Sequence, residues 1–167
     1  MTVRLALVGL PGVGKSTVGS ALAGALGAAF VDVDDVVEER TGCTPAALLR
    51  TAGETPFREA EAQALADALA RPGDVVVATG GGVIESDASR GLLRDFGTVV
   101  HLVVRPEVLL ARLDGGDRPL VADPSLERID ALAARRGPWY DEVADVVVDA
   151  SGDVDDVVAR IRGSLAR

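Results

Sequence analysis

Val3–Ser16, read as Val-Arg-Leu-Ala-Leu-Val-Gly-Leu-Pro-Gly-Val-Gly-Lys-Ser, is the stretch that decides the fold. Val3 to Val8 is a short, largely aliphatic run ended by glycine and proline, the pattern of a strand buried on both faces. The next eight residues, Gly9 to Ser16, match GxxxxGK[ST] in full. A helix is expected from about Lys15, carrying Val18, Leu22 and Leu26 on one side and stopping at Gly27. A strand that turns through such a loop into a helix is the setting the motif requires. Its glycines let successive backbone N–H groups converge on phosphate oxygens, and the helix N-terminus adds a favourable dipole. Lys15 reaches the outer phosphates of a nucleoside triphosphate, and the Ser16 hydroxyl suits Mg²⁺. The competing reading, a tight turn that merely tolerates glycine, explains neither the lysine nor the hydroxyl.

Outward from this unit, strands and helices alternate. Ala29 to Val33 reads as a second strand and Asp34 to Arg40 as a polar helix. Thr44-Pro45 and Thr55-Pro56 look like two helix starts, each with a capping residue before a proline. Val75 to Ala78 is a third strand, and Ser86 opens a helix. Val99 to Val104 is a fourth strand and Glu107 to Leu113 a short helix, followed by a glycine-rich, charged loop through Asp123. Ser125 caps a helix expected to end near Gly137-Pro138. Val146 to Val148 is a fifth strand, and Asp153 starts a closing helix. The result is an α/β fold: a five-stranded parallel sheet with helices on both faces, whose ligand site lies at the carboxyl ends of the strands.

The chain has 167 residues, enough for one core of this kind and too few for a second. Its formal net charge of -9 argues against nucleic acid and anionic membranes as partners, while a local arginine cluster still suits a small anion. Cys43 is the only cysteine, so an intramolecular disulfide is impossible and a reduced, cytoplasmic setting is expected. No apolar run reaches membrane-spanning length. Of 17 basic residues all but Lys15 are arginine, so the one lysine stands where a compact, flexible point charge is wanted. With no apolar stripe that asks for a partner, a monomer is expected.

Further chemistry-bearing residues follow the strands. Asp32 and Asp34, at the second strand's end, are sent the same way by alternation; they suit a metal's outer shell and an acceptor hydroxyl, or else strand-end solvation and a helix cap by Asp34, a role Asp35 fits at least as well. Arg58 and Glu61 share a helix face, either as a carboxylate clamp with its orienting partner or as an ordinary surface pair. Gly80, Gly81 and Gly82 strip a strand end of side chains, so a close approach or a flexible turn is expected there. Arg112 and Arg118 flank the glycine-rich loop, where an arginine can close over a transferred phosphoryl group or simply be solvated. Arg135 and Arg136 stand near the expected helix end, one facing inward or both serving the helix dipole. His101 and Trp139 read as packing residues.

In order and at similar intervals, GLPGVGKS, DVD, FREAE, TGGG, DRPL and ARRGPWY resemble the shikimate kinase family across nearly the whole chain. The resemblance implies a P-loop NTPase fold like that of nucleoside monophosphate kinases. It implies a single domain over residues 1–167, with a mobile lid at about 112–124 and acceptor-binding helices at about 34–62. It also implies phosphoryl transfer from MgATP to the 3-hydroxyl of shikimate, a step towards chorismate and the aromatic amino acids. Carried over by position, Gly12, Val13, Gly14, Lys15, Ser16 and Thr17 bind ATP phosphates, Ser16 binds Mg²⁺ and Asp32 reaches the metal through water. Asp34 binds the acceptor hydroxyl and takes its proton; Lys15, Asp34 and Arg118 form the catalytic set. Arg58, beside Glu61, and Arg136 hold the acceptor carboxylate, while Gly81, between Gly80 and Gly82, offers its backbone. Arg118 lies on the phosphates and Arg112 over the adenine. The chain departs from the family at Leu113, at the short acidic stretch Asp114–Asp117, at Val121, and at Ser151-Gly152-Asp153, which lacks an arginine some members place near the base. A gluconate kinase-like enzyme and a silent nucleotide-binding module are the alternatives. The absence of asparagine, and with it of the usual Asn-Lys-x-Asp guanine reader, argues against a GTPase switch.

Overall fold

The computed structural model describes residues 2–113 and 123–166. Among these, β1 (Arg4–Val8), β2 (Ala29–Asp32), β3 (Val75–Ala78), β4 (Thr98–Val103) and β5 (Val146–Asp149) form one parallel sheet in the order β2-β3-β1-β4-β5. The strand that leads into the phosphate loop is therefore central. Alternation along it divides two cores. Ala6 and Val8 pack with Val75, Val77 and Val99 on one face, while Leu5 and Leu7 pack with Val76, Val100 and Leu102 on the other. Every residue of β3 is buried, as expected of a strand covered on both sides.

The helices are α1 (Lys15–Leu26), α2 (Val33–Thr41), α3 (Pro45–Ala52), α4 (Glu54–Leu69), α5 (Asp87–Phe96), α6 (Pro106–Leu113), α7 (Leu126–Val143) and α8 (Val154–Leu165). On α4, Ala64, Leu65, Ala68 and Leu69 are buried at helical spacing and seal the first core. On α1 and α8, Val18, Leu22, Val157 and Ile161 seal the second, each such side chain contributing roughly 1.5–3 kcal/mol through burial. Thr44, Ser86 and Ser125 cap α3, α5 and α7 through their hydroxyls, as their positions suggest. No described helix is long and apolar enough to cross a membrane.

Two expectations about helix ends fail for physical reasons. Thr55 does not cap: α4 begins at Glu54 after Gly53, and Thr55 and Pro56 occupy its first turn, where proline's missing N–H is harmless. Nor does α7 end at Gly137-Pro138. It continues to Val143 because Tyr140 and Val143 are buried beyond the proline, and two such side chains outweigh a break worth about 3 kcal/mol. Arg118 and most of the expected lid lie outside the described residues.

Candidate active site

The loop between β1 and α1 is built by its backbone. Gly14, the N-cap of α1, holds φ at 100°, a left-handed conformation that favours glycine. The Val13 side chain is buried beneath the loop, and its amide donates to the Leu10 carbonyl at 3.3 Å. Lys15 is 8% exposed and folds back over the loop, its Nζ donating to the carbonyls of Gly9 at 2.7 Å and Leu10 at 3.0 Å. From behind, Arg112 donates through Nη1 to the Val13 carbonyl and through Nη2 to that of Ala150, both at 3.0 Å. The guanidinium expected over an adenine thus also ties the phosphate loop to the end of β5.

The Ser16 hydroxyl donates to the Asp32 carboxylate. Asp32, at the end of β2, also accepts the Asp34 amide at 2.9 Å and so caps α2. This corrects two details of the sequence reading. Neither Asp34 nor Asp35 is the cap, and strand alternation does not align Asp32 with Asp34, because the strand ends at Asp32 and Asp34 stands in the first turn of α2. The helical turn brings Asp34 to the phosphate loop all the same.

One cavity of about 340 Å³ joins these parts. Gly12, Gly14, Lys15, Ser16 and Thr17 line one side, and Asp34, Glu61, Gly80 and Gly81 the other. Asp34 is open to solvent through the cavity yet deep among protein atoms. Loss of surrounding water, then the charges of Asp32 and Glu61, raise its carboxyl to about 6, against a smaller lowering by Lys15. Glu61 is buried, and that burial raises its carboxyl, with a hydrogen bond from Arg58 Nη1 at 2.8 Å opposing the rise.

The three glycines after β3 each face a site residue. A side-chain carbon at Gly80 would strike the Glu61 carboxylate, one at Gly81 would come within 2.8 Å of the Pro11 ring, and one at Gly82 would overlap the Arg58 guanidinium. Close approach, rather than a flexible turn, accounts for them. Arg58 and Gly82 line a neighbouring cavity of about 500 Å³, which Glu61 also borders. Behind Gly81, Arg136 is 4% exposed and donates through Nη1 to the Gly81 carbonyl at 2.7 Å and through Nε to Glu85 at 2.9 Å. Arg135, largely exposed, donates to the same carboxylate. Both arginines lie in the body of α7, so the helix-dipole reading of the pair is set aside. Burial alone would raise the Glu85 carboxyl, but the bonds and charges of Arg136 and Arg135 outweigh it and hold it below the usual range.

Several residues at the site escaped the sequence reading. Thr79 lines the cavity and donates to the Leu7 carbonyl at 2.9 Å, fixing the start of the glycine turn against β1. Thr44, Pro45, Ala46 and Leu49 of α3, with Pro11 and Phe57, supply an apolar wall; the Thr44 cap was the available signal, since Leu49 follows one turn later. Tyr140 donates to the Gly81 carbonyl at 3.5 Å and stacks on His101 with ring centres 4.3 Å apart. Burial, with Lys15 adding to it, lowers His101 to about 4, so it is a neutral packing residue at ordinary pH.

The family model for shikimate kinase matches residues 11–166. A relative from Sodalis glossinidius (strain morsitans) named shikimate kinase 2 is 43% identical, covering 99% of this chain and 97% of that one. One from Halorhodospira halophila named shikimate kinase is 44% identical, covering 94% and 89%. Among solved structures, shikimate kinase from Acinetobacter baumannii in complex with shikimate superposes with a TM-score of 0.93 at 33% identity, covering 99% of this chain and 94% of that one. Agreement that runs from the phosphate loop to the last helix, in sequence and in fold, leaves no part of the described site outside it: the chain belongs to the shikimate kinase family of ATP-dependent phosphotransferases.

Proposed function

We propose that this chain transfers the terminal phosphoryl group of ATP to the 3-hydroxyl of shikimate, with Asp34 as the group that accepts the hydroxyl proton. The observation that carries this reading is the single cavity in which the phosphate loop and Lys15 face Asp34, Glu61 and the glycine turn. A kinase needs its two substrates in line and shielded, and little covalent chemistry from the protein.

The phosphate-loop amides and Lys15 hold the triphosphate, and Lys15 exchanges its present bonds to Gly9 and Leu10 for phosphate oxygens. Ser16 and Asp32 fit Mg²⁺: a hydroxyl and a carboxylate in contact are the hard, partial oxygen set that this ion takes alongside phosphates and water. When bound there, the ion would supply positive charge against the phosphates. Arg58 and Arg136 receive the acceptor carboxylate, and Glu61 keeps Arg58 in place. The 3-hydroxyl oxygen then bonds to the γ-phosphorus, the bond from that phosphorus to the β,γ-bridging oxygen breaks, ADP departs, and the hydroxyl proton passes to Asp34. A carboxyl raised to about 6 is still ionised at neutral pH and is a better base than an ordinary one. Arg118 is assigned to the phosphates and Arg112 to the base side, and the chain is read as a cytoplasmic monomer.

The test is a coupled ADP-release assay with MgATP and shikimate, gluconate or no acceptor. Turnover with shikimate well above the other two is expected; equal release in all three would reject the reading.

A further inference from the structure

We propose that Glu85 is a positioning residue for the acceptor, holding Arg136 at the angle at which its guanidinium can receive the acceptor carboxylate. The inference rests on the function proposed above and concerns a residue which that function leaves without a role. Glu85 ends the short 3₁₀ turn Val83–Glu85 that follows the three glycines, and its amide donates to the Gly82 carbonyl at 3.1 Å. The turn is held from below: Arg90, almost buried, donates to the Ile84 carbonyl at 2.9 Å and to Glu142 of α7 at 2.8 Å. Glu85 is therefore a fixed carboxylate on the glycine turn, facing α7.

Arg136 meets that carboxylate through Nε and the Gly81 carbonyl through Nη1. Two bonds from different atoms of one planar group define its plane, and the Tyr140 hydroxyl is a further hydrogen-bonding neighbour of the same guanidinium. The neighbouring Arg58 is built alike, with Glu61 on its Nη1. Two guanidinium groups that converge on one small anion must be held at fixed angles, and the carboxylate oxygen behind each fixes its fork. The charge of Glu85 raises the Glu61 carboxyl while Arg58 and Arg136 lower it, so the two ion pairs lie within electrostatic reach of each other. Arg135 shares the Glu85 carboxylate from the solvent side, with a side chain 59% exposed. It screens Glu85 without entering the site.

The experiment compares the wild-type chain with Glu85→Ala, Glu85→Gln and Arg135→Ala in steady-state kinetics and thermal melting. Glu85→Ala is expected to raise the KM for shikimate about tenfold, leaving the KM for ATP and kcat within about twofold. Glu85→Gln keeps an oxygen for Arg136 Nε and is expected to restore the KM for shikimate to within about threefold of wild type. Arg135→Ala is expected to stay within about twofold throughout. If Glu85→Ala does not fold, Glu85→Asp, which withdraws the carboxylate by one methylene, carries the same expectation. An unchanged KM for shikimate, a KM for ATP that rises in step with it, or a glutamine variant as impaired as the alanine one would overturn the inference. A wild-type chain without shikimate-dependent turnover would instead sink the proposed function.

Discussion

The two ends of the cavity are built in different ways. At the phosphate end, eight consecutive residues form a cradle from backbone amides, and one side chain, Lys15, supplies the charge. At the acceptor end, α2 brings Asp34, α4 brings Glu61 and the glycine turn brings backbone that Arg136 of α7 holds from behind, and none of them makes a site alone. A site made of backbone is positioned by local conformation. One made of distant side chains is only as well placed as the packing behind it, which is why Glu61, Glu85 and Arg90 stand behind the acceptor arginines.

Removing the phosphate end's one charge should have the largest effect. Lys15→Ala is expected to lower kcat by about 10²–10³-fold while circular dichroism stays native, since the cradle itself survives. At the acceptor end, Gly82→Ala is expected to raise the KM for shikimate about tenfold with little change for ATP, because a methyl there displaces Arg58. The backbone of Gly82, with φ at -98°, accepts alanine without strain, so a loss of both substrates alike would contradict the separation of the two ends.

Asp34, between the ends, gives an effect that grows with acidity. Its carboxyl must be ionised to take a proton, so kcat/KM for shikimate is expected to fall about tenfold per pH unit below about 6. A profile flat down to pH 5 would remove Asp34 as the proton acceptor. The smallest effect concerns stability. The folded state raises this carboxyl from 3.8 to about 6, so it favours the protonated form, and the associated stability is lost as pH rises through about 6. Asp34→Asn is therefore expected to melt higher than wild type at pH 8, with the advantage shrinking as pH falls from about 6 towards 3.8, while activity drops.

This contrast also governs what the sequence reveals. The phosphate loop was legible because strand, glycines, lysine and helix are contiguous, and the Thr44, Ser86 and Ser125 caps because each hydroxyl bonds an amide three residues on. Arg58 and Glu61 could be paired at helical spacing. The partnership of Arg136 with Glu85 could not, because 51 residues separate them and only the packing of α7 against the glycine turn joins them. Pro138 misled because a local signal for a helix end was overridden by burial of Tyr140 and Val143 further along, whereas Thr55 and Pro56 marked the right helix but lie within its first turn, after Gly53 and Glu54. Leu49 was missed because α3 has no fully buried residue, and while Leu48 packs against the first core, Leu49 faces the cavity.

A crystal structure of the chain with shikimate and a non-hydrolysable ATP analogue tests most directly whether both ends serve one reaction. The expected result is a terminal phosphate against Lys15 and the 3-hydroxyl at about 3 Å from the Asp34 carboxylate, both inside the smaller cavity. Shikimate lodged instead in the neighbouring cavity beyond Arg58, out of reach of Asp34, would contradict it.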